Sequence, residues 1–525
     1  MNRSIATKAW TLAFLAALLP VMFLRDFTPS NELRYLSIAD EALRNHTFFT
    51  FYNHGVPYAD KPPLYLWLVM LCKWLTGTHR MWLLSLFSVL PAIGIVYRLD
   101  SWTRKESRER GLETAPILLL SCGFFIGTSL VLRMDMLMTF FIVMALHAFW
   151  KMFNQKEPGK SYGWLFPMYL FLAVFTKGPY GILIPLVSTT VFLLLSGSIR
   201  QFFRYWGIRT WLTLAVLCGI WFGMVCLEGG NAYLNNLLFH QTIDRAVDSF
   251  HHNKPFYYYA ISIWYVLAPW SLLVVGIIVA ALRPRAERRT LQVYFLTIVI
   301  TSFVLISCVS SKIDIYMLPT IPFMVYAAAL SLSKYESHRL TRMAVSIPIS
   351  VLTLTLPLLV AAIRMDYMPM PVPPMLYVAA AILSVGSMIT LIMLWKSYRH
   401  RSFHRSASCM AGTLFLAVFT GGWAAGDLNA HIGYGALCEK ALELSAGHGI
   451  DDIRVWDISR PENMDVYLHR PFRVIEGDSL PAFGKDGPCL LLLPKDKAPL
   501  LPHRPRADVG SNSIIIIQAS ENKKK

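Results

Sequence analysis

The sequence predicts a mainly α-helical, polytopic membrane protein that ends in a small soluble α/β domain. Three observations carry that expectation. Apolar segments of about 18–20 residues, the length needed to cross a hydrocarbon core, recur along most of the chain. Of 525 residues, 55% are hydrophobic and only 15% charged, and the Lys and Arg side chains collect in short loops between the apolar runs. After about Asp427 the long apolar runs stop and short β-type runs replace them. The formal net charge of +17 does not indicate a nucleic-acid partner, because it is spread over loops and forms no basic groove or basic domain.

Taken in order, the first apolar run (residues 8–24) follows Arg3 and Lys8, which places the N-terminus inside. No small-residue cleavage site stands around Leu18–Phe23, so the run is expected to be an uncleaved span. It delivers a long outer loop, residues 25–80. Within this loop Leu33, Leu36, Ala39 and Leu43 recur at helical spacing, which predicts an amphipathic helix lying on the membrane surface. Further spans are expected near 81–97, 113–129, 136–152, 163–175, 180–196 and 210–227. A second outer loop, residues 228–256, follows. The remaining spans are 257–281, 291–309, 317–333, 344–362, 375–395 and 408–425. This set of about thirteen puts a basic cluster at every inner loop. Residues 1–426 form the expected membrane domain and 427–525 the outer α/β domain.

In the tail a helix over 434–445 precedes expected strands at 453–458, 466–474, 489–493 and 513–518. Six of the eight cysteines lie in or beside apolar runs without ligand spacing and read as small core residues. Cys438 and Cys489, in the tail, could pair.

This topology gathers unusual residues at the outer boundary: Asn31, Glu32, Asp60, Lys61, Asp135, Lys177, the 240–256 stretch, Lys312 and Tyr316. Each has a structural reading. Lys61 can snorkel, Asp135 can cap the span that follows it, Lys177-Gly178-Pro179 can be a turn, and Tyr257–Tyr259 can belong to an aromatic belt. Lysines kept where the charge rule depletes them suit an anionic lipid phosphate held at the interface. Carboxylates beside them suit transfer chemistry, in which one group takes a proton while cations stabilise a leaving phosphate. Most charges stop at span boundaries, which speaks against a transporter or flippase of a lipid-linked sugar; that reading needs ionisable groups near mid-span.

The segments NELRYLSIADEAL, YADKPPLYLWL, RMDMLMTFF, FTKGPYGILIPL, HHNKPFYYY and SSKIDIYMLPTIP resemble polyprenyl-phosphate-dependent glycosyltransferases of the GT-C fold. The likeness is to the superfamily of protein O-mannosyltransferases and lipid A aminoarabinose transferases, and it extends to about Pro322. The resemblance implies a GT-C membrane domain and an undecaprenyl-type phosphate-linked sugar as donor. It implies lipid A, another glycolipid or a protein hydroxyl as acceptor, and a site facing the periplasm across a bacterial inner membrane. The family's first loop opens with an Asp-Glu pair; here Asn31 stands in the Asp position, so Glu32 or Asp135 becomes the expected base. Lys61, Lys177, Lys312 and Tyr316 are expected on the donor phosphate, and Arg34, Tyr35, Tyr58 and Arg133 on the substrate loop. No cofactor is required. A divalent metal (zinc, magnesium or manganese) has Asp60, His251 and His252 as its candidate ligands. Protein O-glycosylation with the same donor type is the alternative activity, and an O-antigen-ligase-type transferase is disfavoured by the Asp-Lys-Pro-Pro and Ser-Lys segments.

Overall fold

A computed structural model describes residues 3–154, 161–238, 254–283, 289–368, 370–396, 402–475, 487–501 and 504–517. The first nine α-helices are α1 (Arg3–Leu24), α2 (Glu32–Asn45), α3 (Leu64–Thr76), α4 (Met81–Glu106), α5 (Ala115–Leu120), α6 (Gly123–Leu130), α7 (Asp135–Asn154), α8 (Tyr162–Lys177) and α9 (Tyr180–Leu195). Each span expected from the sequence meets a helix or a broken pair of helices, and the protein is a multi-pass membrane protein. Among the described residues seven helical runs are long and apolar enough to cross a bilayer unaided, α1, α4 and α7 among them. Others are short or broken for local reasons. The stretch 115–130 breaks where Cys122 turns extended, and the Gly123 N–H bonds instead to the carbonyl of Ala268, in the turn between the helices Tyr258–Val266 and Ser271–Ala281. The run 339–364 breaks at Leu354; Pro357 cannot donate to the carbonyl four residues back and clashes with it. Helices α8 and α9 have 16 residues each, about 24 Å of rise, so they cross only with help from their neighbours.

Contacts sort the helix ends into two groups. At one end Thr7 donates to Asp100, Arg104 pairs with Asp100, Lys151 with Glu106 and Arg289 with Glu109. At the other end lie Arg25, the first loop, the α6–α7 turn, the α8–α9 turn and the 309–316 loop.

The α/β tail sits over the second end. Its five-stranded sheet has the order β4-β3-β5-β7-β6, with β3 (Ile453–Trp456), β4 (Arg473–Ile475), β5 (Cys489–Pro494), β6 (Arg506–Val509) and β7 (Asn512–Ile517). The numbering leaves β1 (Tyr52–Asn53) and β2 (Val56–Pro57) for a hairpin in the first loop. β3 runs parallel to both β4 and β5, while β7 is antiparallel to β5 and β6. Strands β5 and β7 are apolar on both faces and split with period two. Leu490, Leu492, Ile514 and Ile516 join the core shared with α2 and α3, and Leu491, Leu493, Ile515 and Ile517 form a second core on the far face. The strand expected over 466–474 is instead a short helix (Asp465–Leu468) followed by β4, because Val466 and Leu468 pack toward α2 rather than into the sheet. Strand β6 was not anticipated; its alternation of exposed and half-buried residues is that of an edge strand. Cys438 is a buried thiol that does not pair with Cys489, which is buried in the other core.

The amphipathic helix forms, but it does not lie bare on a membrane surface. In α2 Glu32, Leu33, Tyr35, Leu36, Ser37, Ile38, Ala39, Asp40 and Ala42 are all buried. One side packs on α3 and the other is covered by the Asp465–Leu468 region. Its polar residues have partners there: Asp40 pairs with Lys73 and His79, and Ser37 donates to Asp465.

Candidate active site

Glu32 opens α2 and has no exposed surface. Arg25 grips it with both arms of the guanidinium, at 2.7 and 2.8 Å, and also donates to the Leu130 carbonyl. The Thr28 N–H and hydroxyl and the Leu132 N–H complete its partners. Burial works to raise this carboxyl's pKa, yet Arg25 and the two N–H groups hold it below the ordinary value. The carboxylate fastens the end of α1, the start of α2 and the α6–α7 turn together. Arg25 went unnoticed in the sequence, where it reads as an ordinary residue after a span.

Asn31 caps α2 in position only and accepts a hydrogen bond from Arg34 at 3.2 Å. The Arg34 guanidinium lies over the rings of Tyr35 and Tyr58, at 5.9 and 5.6 Å, so the substrate-loop residues gather around one cation. Tyr35 is buried edge-on to Tyr65, and burial raises its phenol pKa although Arg133 and Arg34 oppose it.

Asp135 opens α7 with 1% of its surface exposed. Lys177, at the end of α8, donates to one carboxylate oxygen, and the Arg133 Nε donates to the other at 3.2 Å. The Lys177 side chain is buried and its ammonium sits 4.6 Å from the centre of the Tyr316 ring, which in turn faces Tyr180. Two cations and one carboxylate leave this buried cluster one positive charge in excess. Such a cluster favours an arriving anion, since its charges are already desolvated and fixed.

Asp60 and Lys61 are half-buried and lie just ahead of α3, after the β1–β2 hairpin. Lys312 is 4% exposed and donates to the main-chain carbonyls of Lys254 and Val309, so it ties the 309–316 loop to residue 254. Two of its three N–H bonds thus serve the loop. Beside it Tyr258 and Tyr265 both donate to Asp314 at 2.7 Å. His251 and His252 lie outside the described residues. Among the described residues no group of three or more His, Cys, Asp and Glu side chains is arranged to hold a metal ion.

With this geometry in hand, comparison with solved structures decides the fold. The chain superposes on the crystal structure of ArnT from Cupriavidus metallidurans bound to undecaprenyl phosphate with a TM-score of 0.74. That match covers 98% of each chain at 16% identity. The fold is that of the GT-C glycosyltransferases. In sequence, the chain is 25% identical over 325 residues to an uncharacterized protein of Aquifex aeolicus, covering 60% of this chain and 63% of that one. It is 24% identical over 294 residues to an undecaprenyl phosphate-alpha-4-amino-4-deoxy-L-arabinose arabinosyl transferase of Serratia proteamaculans, covering 55% and 52%. The chain thus spans between half and two thirds of these relatives' lengths. No protein-family model matches it.

Proposed function

We propose that this chain is a glycosyltransferase that moves a sugar from a polyprenyl-phosphate carrier to an anionic envelope glycolipid such as lipid A, on the periplasmic face of a bacterial inner membrane. The observation that carries the reading is the buried Arg133–Asp135–Lys177 cluster with its surplus positive charge, set where α7 and α8 meet the outer loops. The similarity to arabinosyl transferases that use an undecaprenyl-phosphate sugar supports the donor class.

The reaction is a single displacement at the anomeric carbon. An acceptor oxygen bonds to that carbon from one face while the bond to the carrier phosphate breaks on the other, and the electron pair leaves on the phosphate. Lys177, Arg133 and Lys61 stabilise that charge, and Tyr316 holds the Lys177 ammonium in place. Asp135 keeps both cations aimed and screens their mutual repulsion. The two carboxylates expected as bases are engaged with cations, Glu32 with Arg25 and Asp135 with Lys177 and Arg133. An acceptor phosphate oxygen, anionic at neutral pH, needs no base, which favours a phosphorylated glycolipid over a protein hydroxyl.

Mass spectrometry of lipid A and of envelope glycopeptides from a deletion strain tests the assignment, with complementation by wild type or by Asp135→Asn. The expected outcome is loss of one sugar mass from lipid A, restored by wild type and not by Asp135→Asn. A loss confined to glycopeptides moves the acceptor to protein. Accumulation of the carrier-linked sugar on the cytoplasmic side, with neither pool altered, replaces the transferase with a flippase.

A further inference from the structure

The helix Ile208–Asn235 ends against the first loop through two residues that the reaction scheme does not use, Glu228 and Tyr233. The Glu228 carboxylate accepts the N–H groups of Phe48 (2.9 Å), Phe49 (2.9 Å) and Thr50 (2.6 Å) and the Thr50 hydroxyl (2.6 Å). Three consecutive main-chain donors turned onto one anion form a nest, a concavity suited to a negative group. The fit is close: a Cβ on Gly229 would meet the Thr50 methyl at 2.5 Å. One turn later, past the kink at Gly230, the buried Tyr233 hydroxyl accepts the Phe51 N–H at 2.9 Å and donates to the Tyr58 carbonyl at 3.0 Å. Phe51 and Tyr58 are the two feet of the β1–β2 hairpin, themselves joined by a 2.8 Å hydrogen bond. The chain leaves the second foot directly into Ala59-Asp60-Lys61.

An apolar column extends the same grip. Rings of Phe49, Trp67, Phe175 and Trp221 contact in sequence, with centroids 5.3–5.4 Å apart. Phe175 stands two residues before Lys177, and Trp67 lies on α3, which Lys61 precedes. The helix end therefore holds the main chain on which one of these lysines sits and packs against the helix that carries the other.

We propose that Glu228 and Tyr233 are positioning residues for the donor phosphate: they fix the backbone of Lys61 relative to Lys177 without touching the substrate. This rests on the donor reading of Lys61 given above. The direct test is binding of undecaprenyl phosphate to the full-length protein in nanodiscs, beside amide hydrogen exchange over residues 48–61. Glu228→Gln and Tyr233→Phe each remove one charge or one hydroxyl with little change of shape. Glu228→Gln is expected to speed exchange at Phe48–Thr50, and Tyr233→Phe at Phe51. Each variant is expected to weaken undecaprenyl phosphate binding about tenfold, the scale of one lost hydrogen bond passed on to the site. Lys61→Ala, which removes the contact itself, should weaken binding at least as much. In transfer assays the donor KM should rise while the acceptor KM stays within about twofold, a split that general destabilisation does not produce. Faster exchange with unchanged undecaprenyl phosphate binding overturns the positioning role while leaving the donor reading intact. Unchanged binding in Lys61→Ala overturns the donor reading of that lysine and the positioning role with it.

Discussion

Arg25 and Glu32 face each other across the corner between α1 and α2, and neither can lose the other cheaply. Removing one member of a buried ion pair leaves the other charge desolvated and unpaired. Glu32→Gln is therefore expected to cost about 3 kcal/mol of stability, read as a lower thermal midpoint in detergent. Arg25→Met in the same chain should restore part of that loss, because both charges are then gone. At the proposed phosphate cluster, function rather than folding should register the change. Lys177→Met is expected to reduce transfer by about a hundredfold, the scale seen when one preorganised charge donor is lost from an active site. Lys177→Arg should retain more activity, since a guanidinium can keep both the Asp135 pairing and the Tyr316 ring. Sequence reading reached Asp135, Lys177 and Tyr316 because the charge rule leaves cations at an outer boundary unexplained. It missed Glu228 because its partners lie across the chain, at Phe48 to Thr50, and it missed Arg25 because a seven-residue separation across a corner is no helical or strand spacing.

Helix α2 shows what periodicity can and cannot say about an element. Its apolar stripe of Leu33, Leu36, Ala39 and Leu43 announced a helix, and the helix Glu32–Asn45 contains all four. The covering of its polar side was not legible, because the cover comes from residues more than four hundred positions away: Ser37 donates to Asp465 at 2.9 Å, with His54 beside both. This contact should titrate. Burial raises the Asp465 pKa and Asp40 adds repulsion, while Ser37, His54 and Arg44 oppose the shift. A folded-state value above the ordinary one means that the packed helix favours the protonated acid. Its contribution is complete below the usual carboxylate range and is lost as pH rises through the raised value. Asp40 runs the other way. Its burial is outweighed by His79 and Lys73, which hold it low, so its contribution is present above the usual range and fades as pH falls through the lowered value. Asp465→Asn should therefore flatten the decline of the thermal midpoint from mildly acidic to neutral pH and leave the acid-side decline in place. A profile parallel to wild type at every pH would mean that this carboxyl does not couple to the packing of α2.

At the scale of the whole molecule, the strongest inference from sequence was parity rather than any boundary. Basic loops fixed which helix ends share a side, and the contacts Thr7–Asp100 and Lys151–Glu106 at one end, with Arg25–Glu32 and Lys177–Asp135 at the other, respect that division. Span length could not have given the same result, because α8 and α9 are short and the runs near 115–130, 258–281 and 339–364 are broken. The proposed periplasmic location of the site depends on each broken run crossing once. Arg108, after α4, is exposed and Lys440, in the helix Gly435–His448, is half-buried, and they stand an odd number of expected crossings apart. With Cys308 replaced by Ser, a cysteine at Lys440 should react with a membrane-impermeant maleimide in spheroplasts, and one at Arg108 only after lysis. Labelling of Arg108→Cys in intact spheroplasts, with Lys440→Cys also reactive, would require an even count. The run 339–364 is then the first to reconsider, since its window is only 6% buried in the protein and its break at Leu354 lets it turn back instead of crossing.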